Sequence, residues 1–127
     1  MNTIQCLSIT NVKTATGASF SELNLYYQHF GEPLDKAPVV LINHSLTGDA
    51  DVAGQKGWWK ELVGHDKTID TKRYAVLAFN IPGNGVGGQT FSNPKDFHTG
   101  DVAALFLKGL ELLGVFKLYA LVGGSIG

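Results

Sequence analysis

Cysteine is nearly absent from this chain. Cys6 stands alone, so no intramolecular disulfide can form and a cysteine-rich structural zinc site is excluded. A basic cluster is also lacking. Ten Lys and Arg stand against eleven Asp and Glu, for a net charge of -1, which argues against nucleic acid or an anionic membrane surface as the main partner. No apolar run approaches the ~20 residues of a membrane span. The opening stretch MNTIQCLSIT has neither the basic start nor the apolar segment of a secretory signal, so a cytoplasmic location is expected. Repeats and low-complexity segments are missing too, and 127 residues leave room for one domain at most.

What the chain does have is glycine, 16 in all, gathered at Gly83 to Gly88 and at Gly123 to Gly127. Outside these clusters the apolar pattern is that of an α/β sheet. Residues 22–30, ELNLYYQHF, alternate as a half-exposed strand does. VVLIN (39–43), YAVLAF (74–79) and LYALV (118–122) are apolar throughout, the mark of parallel strands covered on both faces. GWWKELVG (57–64) reads as a short helix ended by Gly64. TGDVAALFLKGLELLG reads as a longer one, with Val102, Leu105, Phe106, Leu110 and Leu113 at helical spacing. Thr99 is its expected N-cap, Asp101 complements its dipole, and Gly114 closes it. The order is strand, strand, strand, helix, strand, helix, strand, with an antiparallel start.

Both glycine clusters match motifs that carry chemistry. Gly83-x-Gly85-x-x-Gly88 follows a strand, as a dinucleotide-binding turn would. That motif must open directly into a helix, whereas here Pro94 intervenes and the helix begins about ten residues later. A glycine-rich surface loop is the better reading. Gly123-x-Ser125-x-Gly127 follows LYALV and fits a nucleophile elbow, in which a strained strand-to-helix turn lifts a serine hydroxyl above the sheet. The flanking glycines are needed because β-carbons there would collide; the plainer alternative is a glycine turn that merely ends a strand. NHSLTG (43–48) follows the first buried strand, where such a site takes a backbone oxyanion donor. In that architecture the base follows the serine, so His29, His44, His65 and His98 all precede Ser125 and the triad Asp and His are absent from this chain. His44 reads as a loop anchor.

NHSLTGDADVAG, then GWW, then DTKRYAVLAFN, then a glycine-rich loop, then LVGGSIG, in this order, resembles the N-terminal part of homoserine O-acetyltransferases, within the α/β-hydrolase fold. The resemblance runs from about Val39 to Gly127. It implies that Ser125 is the nucleophile that takes an acetyl group from acetyl-CoA, and that the backbone amides of Leu46 and Ile126 hold the oxyanion. It also implies that the acceptor is the hydroxyl of homoserine, a step of methionine biosynthesis. Acetyl-CoA is then a co-substrate, with no permanently bound cofactor and no metal, and a homodimer is an open assembly at full length. NIPGNGVGG departs from the Gly-Gly-Cys loop usual in that family, which keeps an esterase or thioesterase on the same fold as the alternative. A small binding domain with an inert Ser125 is the non-enzyme alternative. Residues 1–127 are expected to be the N-terminal portion of a single α/β-hydrolase domain, incomplete at the elbow and inactive alone.

Overall fold

The computed structural model describes residues 4–45, 47–89 and 97–127. Strands β1 (Gln5–Lys13) and β2 (Ser19–Gly31) form an antiparallel hairpin. They are followed by β3 (Val39–Asn43), the two-residue strands β4 (Val63–Gly64) and β5 (Ile69–Asp70), and β6 (Ala75–Phe79). A 3-10 turn at Val86–Gly88, helix α1 (Thr99–Leu112) and strand β7 (Ala120–Gly123) complete the order. The main sheet runs β1-β2-β6-β3-β7. Its β2–β6 pair is antiparallel, whereas β3 lies parallel to both β6 and β7. This is the expected mostly parallel sheet with an antiparallel start.

The continuous apolar runs follow from that order. β3 and β6 have a strand on each side and packing on each face, so Val39 to Ile42 and Ala75 to Phe79 are all buried. Alternate residues then serve two cores. Val39, Leu41, Leu77 and Phe79 meet Leu105, Phe106 and Leu110 of α1 on one face. Val40, Ile42, Val76 and Ala78 meet Val52 and Val63 on the other. Fully burying a side chain of this size contributes roughly 1.5–3 kcal/mol, and the Phe79 ring also stacks on Phe106 at 5.3 Å between centroids.

The second face is where the sequence reading needs correction. Residues 57–64 form no helix but a chain of turns: Gly57 N–H donates to Gly54 O, Lys60 N–H to Gly57 O and Leu62 N–H to Trp59 O. Trp59 N–H instead reaches back to Val52 O at 2.9 Å, tying the segment to the preceding loop. A segment this short gains too few intrahelical bonds to offset nucleation, and Gly64 pairs with Asp70 in the β4–β5 ladder and does not cap a helix. The turns still bring Val63 and Trp59 to the core.

Helix α1 has the expected buried stripe, but its N-cap is His98, and Thr99 is the first helical residue. Asp101 takes the capping role. Its carboxylate accepts from His98 N–H at 2.9 Å and from Ala15 N–H at 3.0 Å, and these bonds hold its carboxyl below the usual carboxylate range. At the other end Gly114 has φ +74°. Gly114 N–H donates to Glu111 O and Val115 N–H to Leu110 O, a Schellman closure that a residue with a β-carbon would strain. Gly114 therefore ends the helix as expected.

β7 differs from the other apolar strands in being half exposed, because among the described residues it is paired only with β3. Leu121 is 60% exposed, with Tyr119 at 64% and Phe116 at 83% beside it. An uncharged apolar edge with unpaired backbone groups is a template for strand addition. The 127-residue chain is expected to self-associate, and Leu121→Lys to lower the mass measured by light scattering over a concentration series. A wild-type chain that stays monomeric throughout that series would contradict this.

Candidate active site

β3 and β7 end level with one another, Asn43 opposite Gly123. The chain leaves β3 toward β6 on one side and later returns to β7 on the other, so the two connections lie on opposite faces. A crevice opens between them at the carboxyl ends of the strands, the usual place for a site in such sheets. Ser125 follows β7 at this end of the sheet, exposed, at φ +58°. A non-glycine residue held in that left-handed region costs about 1–3 kcal/mol, a strain that clusters at functional sites. Gly127 N–H donates to Gly124 O at 3.0 Å, which closes the turn around the serine.

Both motif glycines are required sterically. A β-carbon on Gly123 would lie 2.3 Å from the Gly127 carbonyl carbon. One on Gly127 would lie 2.5 Å from Asn43 O and 2.8 Å from His44 O. The Asn43 and His44 carbonyls belong to backbone held by the β3 ladder and the bonds of His44, and have little freedom to retreat. The elbow therefore presses directly on the start of the loop that follows β3. On its other side a β-carbon on Gly124 would approach the Trp58 ring to 3.0 Å. Trp58 is 70% exposed and stands edge-on to Trp59.

The loop after β3 is anchored by His44, which is 3% exposed. Ile81 N–H donates to its Nε2 at 2.9 Å, and its Nδ1 lies 2.6 Å from Ser45 O. A backbone amide can only donate, so Nε2 carries the lone pair and Nδ1 the hydrogen. Both nitrogens are thus engaged, which bears out the loop anchor and leaves neither free for base catalysis. The glycine-rich loop is secured alongside: the Asn80 and Asn84 side chains exchange amide hydrogen bonds at 2.8 and 2.9 Å, and Val86 N–H donates to Asn84 Oδ1 at 3.2 Å. Among the described residues no helix opens between Gly88 and Thr99; residues 90–96, where Pro94 argues against a dinucleotide-binding helix, lie outside them.

Two clefts flank the elbow. One, of about 620 Å³, is lined by Ile126, His44, Ile81, Phe97, Val102 and Phe106 and is largely apolar. The other, of about 480 Å³, runs past Ser45, Asp49, Asp51, Lys56, Trp58 and Trp59. Ile126, Gly127 and the start of the 43–48 loop are therefore brought together, with Ser125 exposed on the same turn, while Leu46 lies outside the described residues. The part played by the tryptophan pair was not visible in the sequence, although adjacent tryptophans before a glycine-ended segment were a signal. Among the described residues no group of three or more His, Cys, Asp or Glu side chains is placed to hold a metal ion, and no helix is long and apolar enough to cross a membrane.

The elbow geometry has a counterpart in known proteins. A family profile described as the alpha/beta hydrolase fold matches residues 38–127. The chain belongs to that family. Among curated relatives, a protein of Methanocorpusculum labreanum named homoserine O-acetyltransferase is 36% identical over 130 residues, covering 87% of this chain and 26% of the relative. Among solved structures, a homoserine O-acetyltransferase from Staphylococcus aureus superposes with a TM-score of 0.84 at 28% identity, over 100% of this chain and 40% of that one. The crystal structure of esterase E22 gives a TM-score of 0.85 at 25% identity, over 100% of this chain and 42% of that one. The resemblance read from residues 39–127 to homoserine O-acetyltransferases is thus borne out. The chain spans between 24% and 37% of the length of the curated relatives it matches.

Burial pushes the pKa of His44 below its ordinary 6.5, against the opposing pull of its bond to Ser45 O and the charge of Asp49. The unfolded chain then binds a proton before the folded one does. Above pH 6.5 both states are neutral at this site and it contributes no slope; as pH falls below 6.5 toward the folded value, stability is lost. Urea unfolding midpoints should fall between about pH 7 and about pH 5.5, above the main carboxylate range. His44→Gln should remove most of that fall, and an equally steep fall in this variant would assign it to other groups.

Proposed function

We propose that this segment supplies the nucleophile and oxyanion donors of an acyltransferase that moves an acetyl group from acetyl-CoA to the hydroxyl of homoserine. The observation that carries the reading is Ser125, held at φ +58° on a glycine turn that packs against the loop after β3. The names of the relatives support the acceptor and the acyl group; a cytoplasmic role in methionine biosynthesis is part of the proposal. In the first half-reaction Ser125 Oγ bonds to the thioester carbonyl carbon, and the carbonyl oxygen becomes an oxyanion. The C–S bond then breaks and coenzyme A leaves as the thiol, taking the serine proton by way of the base. In the second, the homoserine hydroxyl attacks the acetyl-serine and returns a proton to Ser125.

The backbone amides of Ile126 and Leu46 are the proposed oxyanion donors. Losing one such donor costs on the order of 3 kcal/mol of barrier, whereas changing the Leu46 side chain should matter far less. The base and its acid partner are taken to follow Ser125 in the full-length protein, as chain order in this fold requires. Without them the serine hydroxyl stays protonated at neutral pH, and the 127-residue chain is expected to release no thiol from acetyl-CoA above buffer.

A hydrolase is the second reading, favoured by the fit to esterase E22; water would then replace homoserine in the second half-reaction. Mass spectrometry of the full-length protein with acetyl-CoA alone should show one acetyl group on Ser125, absent in Ser125→Ala. Homoserine should clear that adduct faster than buffer does. An adduct on another residue, or turnover without one, would remove the covalent mechanism, and equal clearance by water would favour the hydrolase.

A further inference from the structure

We infer that Trp58 is a specificity-determining residue for acyl transfer: its exposed indole walls the cleft that receives the acceptor, and favours an acceptor that carries an ammonium group. The inference rests on the reading of Ser125 proposed above and deepens it by naming how the acceptor is recognised.

Trp58 is held in place and yet left open. On one side Gly57 has no room for a side chain, since a β-carbon there would collide with Val52 O, and its N–H donates to Gly54 O at 2.8 Å. On the other side Trp59 N–H donates to Val52 O at 2.9 Å, and the Trp59 ring packs on the core. Trp58 stands between these anchors, edge-on to Trp59 with 5.7 Å between ring centroids. It is nonetheless 70% exposed. Large aromatic side chains are mostly buried in folded chains, so one fixed in the open beside a cleft is a surface for a ligand. The nucleophile is close by, because a β-carbon on Gly124, the residue before Ser125, would lie 3.0 Å from the Trp58 ring.

The cleft beside the ring selects its ligand by charge. Asp49, Asp51 and Lys56 line it together with Trp58. Asp51 N–H donates to Asp49 Oδ1 at 2.9 Å, so the two acidic residues share one turn. The face of an indole attracts a cation, and carboxylates add to that attraction while opposing phosphate. Of the two proposed ligands, the coenzyme A thioester carries phosphate groups and a long arm. It suits the larger, apolar cleft on the other side of the elbow, lined by Ile126, Val102 and Phe106. The amino-acid acceptor brings an ammonium group for Trp58 and the two carboxylates, and a carboxylate for Lys56. The polar cleft matches it at both ends.

The test compares two acceptors on the acetylated full-length protein. One is homoserine. The other is 4-hydroxybutyrate, which has the same chain, hydroxyl and carboxylate but no amine. The readout is the rate at which each clears acetyl-Ser125, followed by mass spectrometry over a concentration series. Wild-type protein should prefer homoserine by about 10- to 100-fold in second-order clearance. Trp58→Leu should reduce that preference at least about fivefold, whereas Trp58→Phe, which keeps an aromatic face, should retain most of it. Asp49→Asn keeps the oxygen that accepts from Asp51 N–H and loses only the charge; it should reduce the preference at least about threefold. The preference is a ratio of two acceptors on one protein, so a variant that merely disturbs the elbow slows both and leaves the ratio unaltered.

An unaltered ratio in Trp58→Leu or in Asp49→Asn, or no preference in the wild type, would overturn the inference and leave the covalent mechanism standing. A protein that forms no acetyl-Ser125, or whose adduct is cleared only by water, would overturn the proposed reading and the inference with it.

Discussion

The contact between the elbow and the loop after β3 depends on the parallel register of β3 with β7. With Asn43 opposite Gly123, the turn around Ser125 closes onto the carbonyls of Asn43 and His44. A shift of one residue would exchange the faces of β7 and carry the serine away from that loop. Register here is not set by a hairpin, because α1 lies between β6 and β7 and β3 pairs with strands that come later in the chain. It is set by burial: Ala120 and Val122 pack toward the core that contains Val40 and Ile42, while Leu121 remains exposed.

The two faces of the sheet make different contributions to the crevice. α1 covers one face with a regular apolar stripe, and its first turn supplies Thr99 and Val102 to the apolar cleft. The other face is covered by turns between β3 and β6, which put two tryptophans, two carboxylates and a lysine beside the elbow. A helix in that place would have buried Trp58 or turned it from Gly124. Irregular backbone instead allows Trp58 to stand exposed with its ring edge on the elbow, while Trp59 packs against the core.

Legibility in the sequence followed the strength of local signals. Strands β3 and β6 were evident because burial on both faces leaves only apolar residues, and Gly114 marked the end of α1 because few other residues tolerate its backbone. The elbow could be read because each of its glycines answers a collision that would otherwise occur. Segment 57–64 misled because apolar spacing over so few residues fits turns as well as a helix; the bond from Trp59 N–H to Val52 O decided between them. His98, the actual N-cap of α1, was hidden because the neighbouring Thr99 has the stronger intrinsic preference for that position, while Asp101 reaches back to His98 N–H. The double engagement of His44 could not be foreseen, since its second partner, Ile81, is a backbone amide and leaves no mark in the residue pattern.

Asp101 also bonds to Ala15, 86 residues earlier, in the turn between β1 and β2. That bond joins the outermost hairpin of the sheet to the end of α1 that borders the apolar cleft. Contacts so distant along the chain form only after much of the conformational entropy of the intervening residues has been lost. The hairpin and the body of the helix can each take shape locally, but the wall of the cleft cannot. It rests on a bond between segments 86 residues apart, so a change that loosens the outer hairpin also loosens the rim of the cleft on the far side of the sheet.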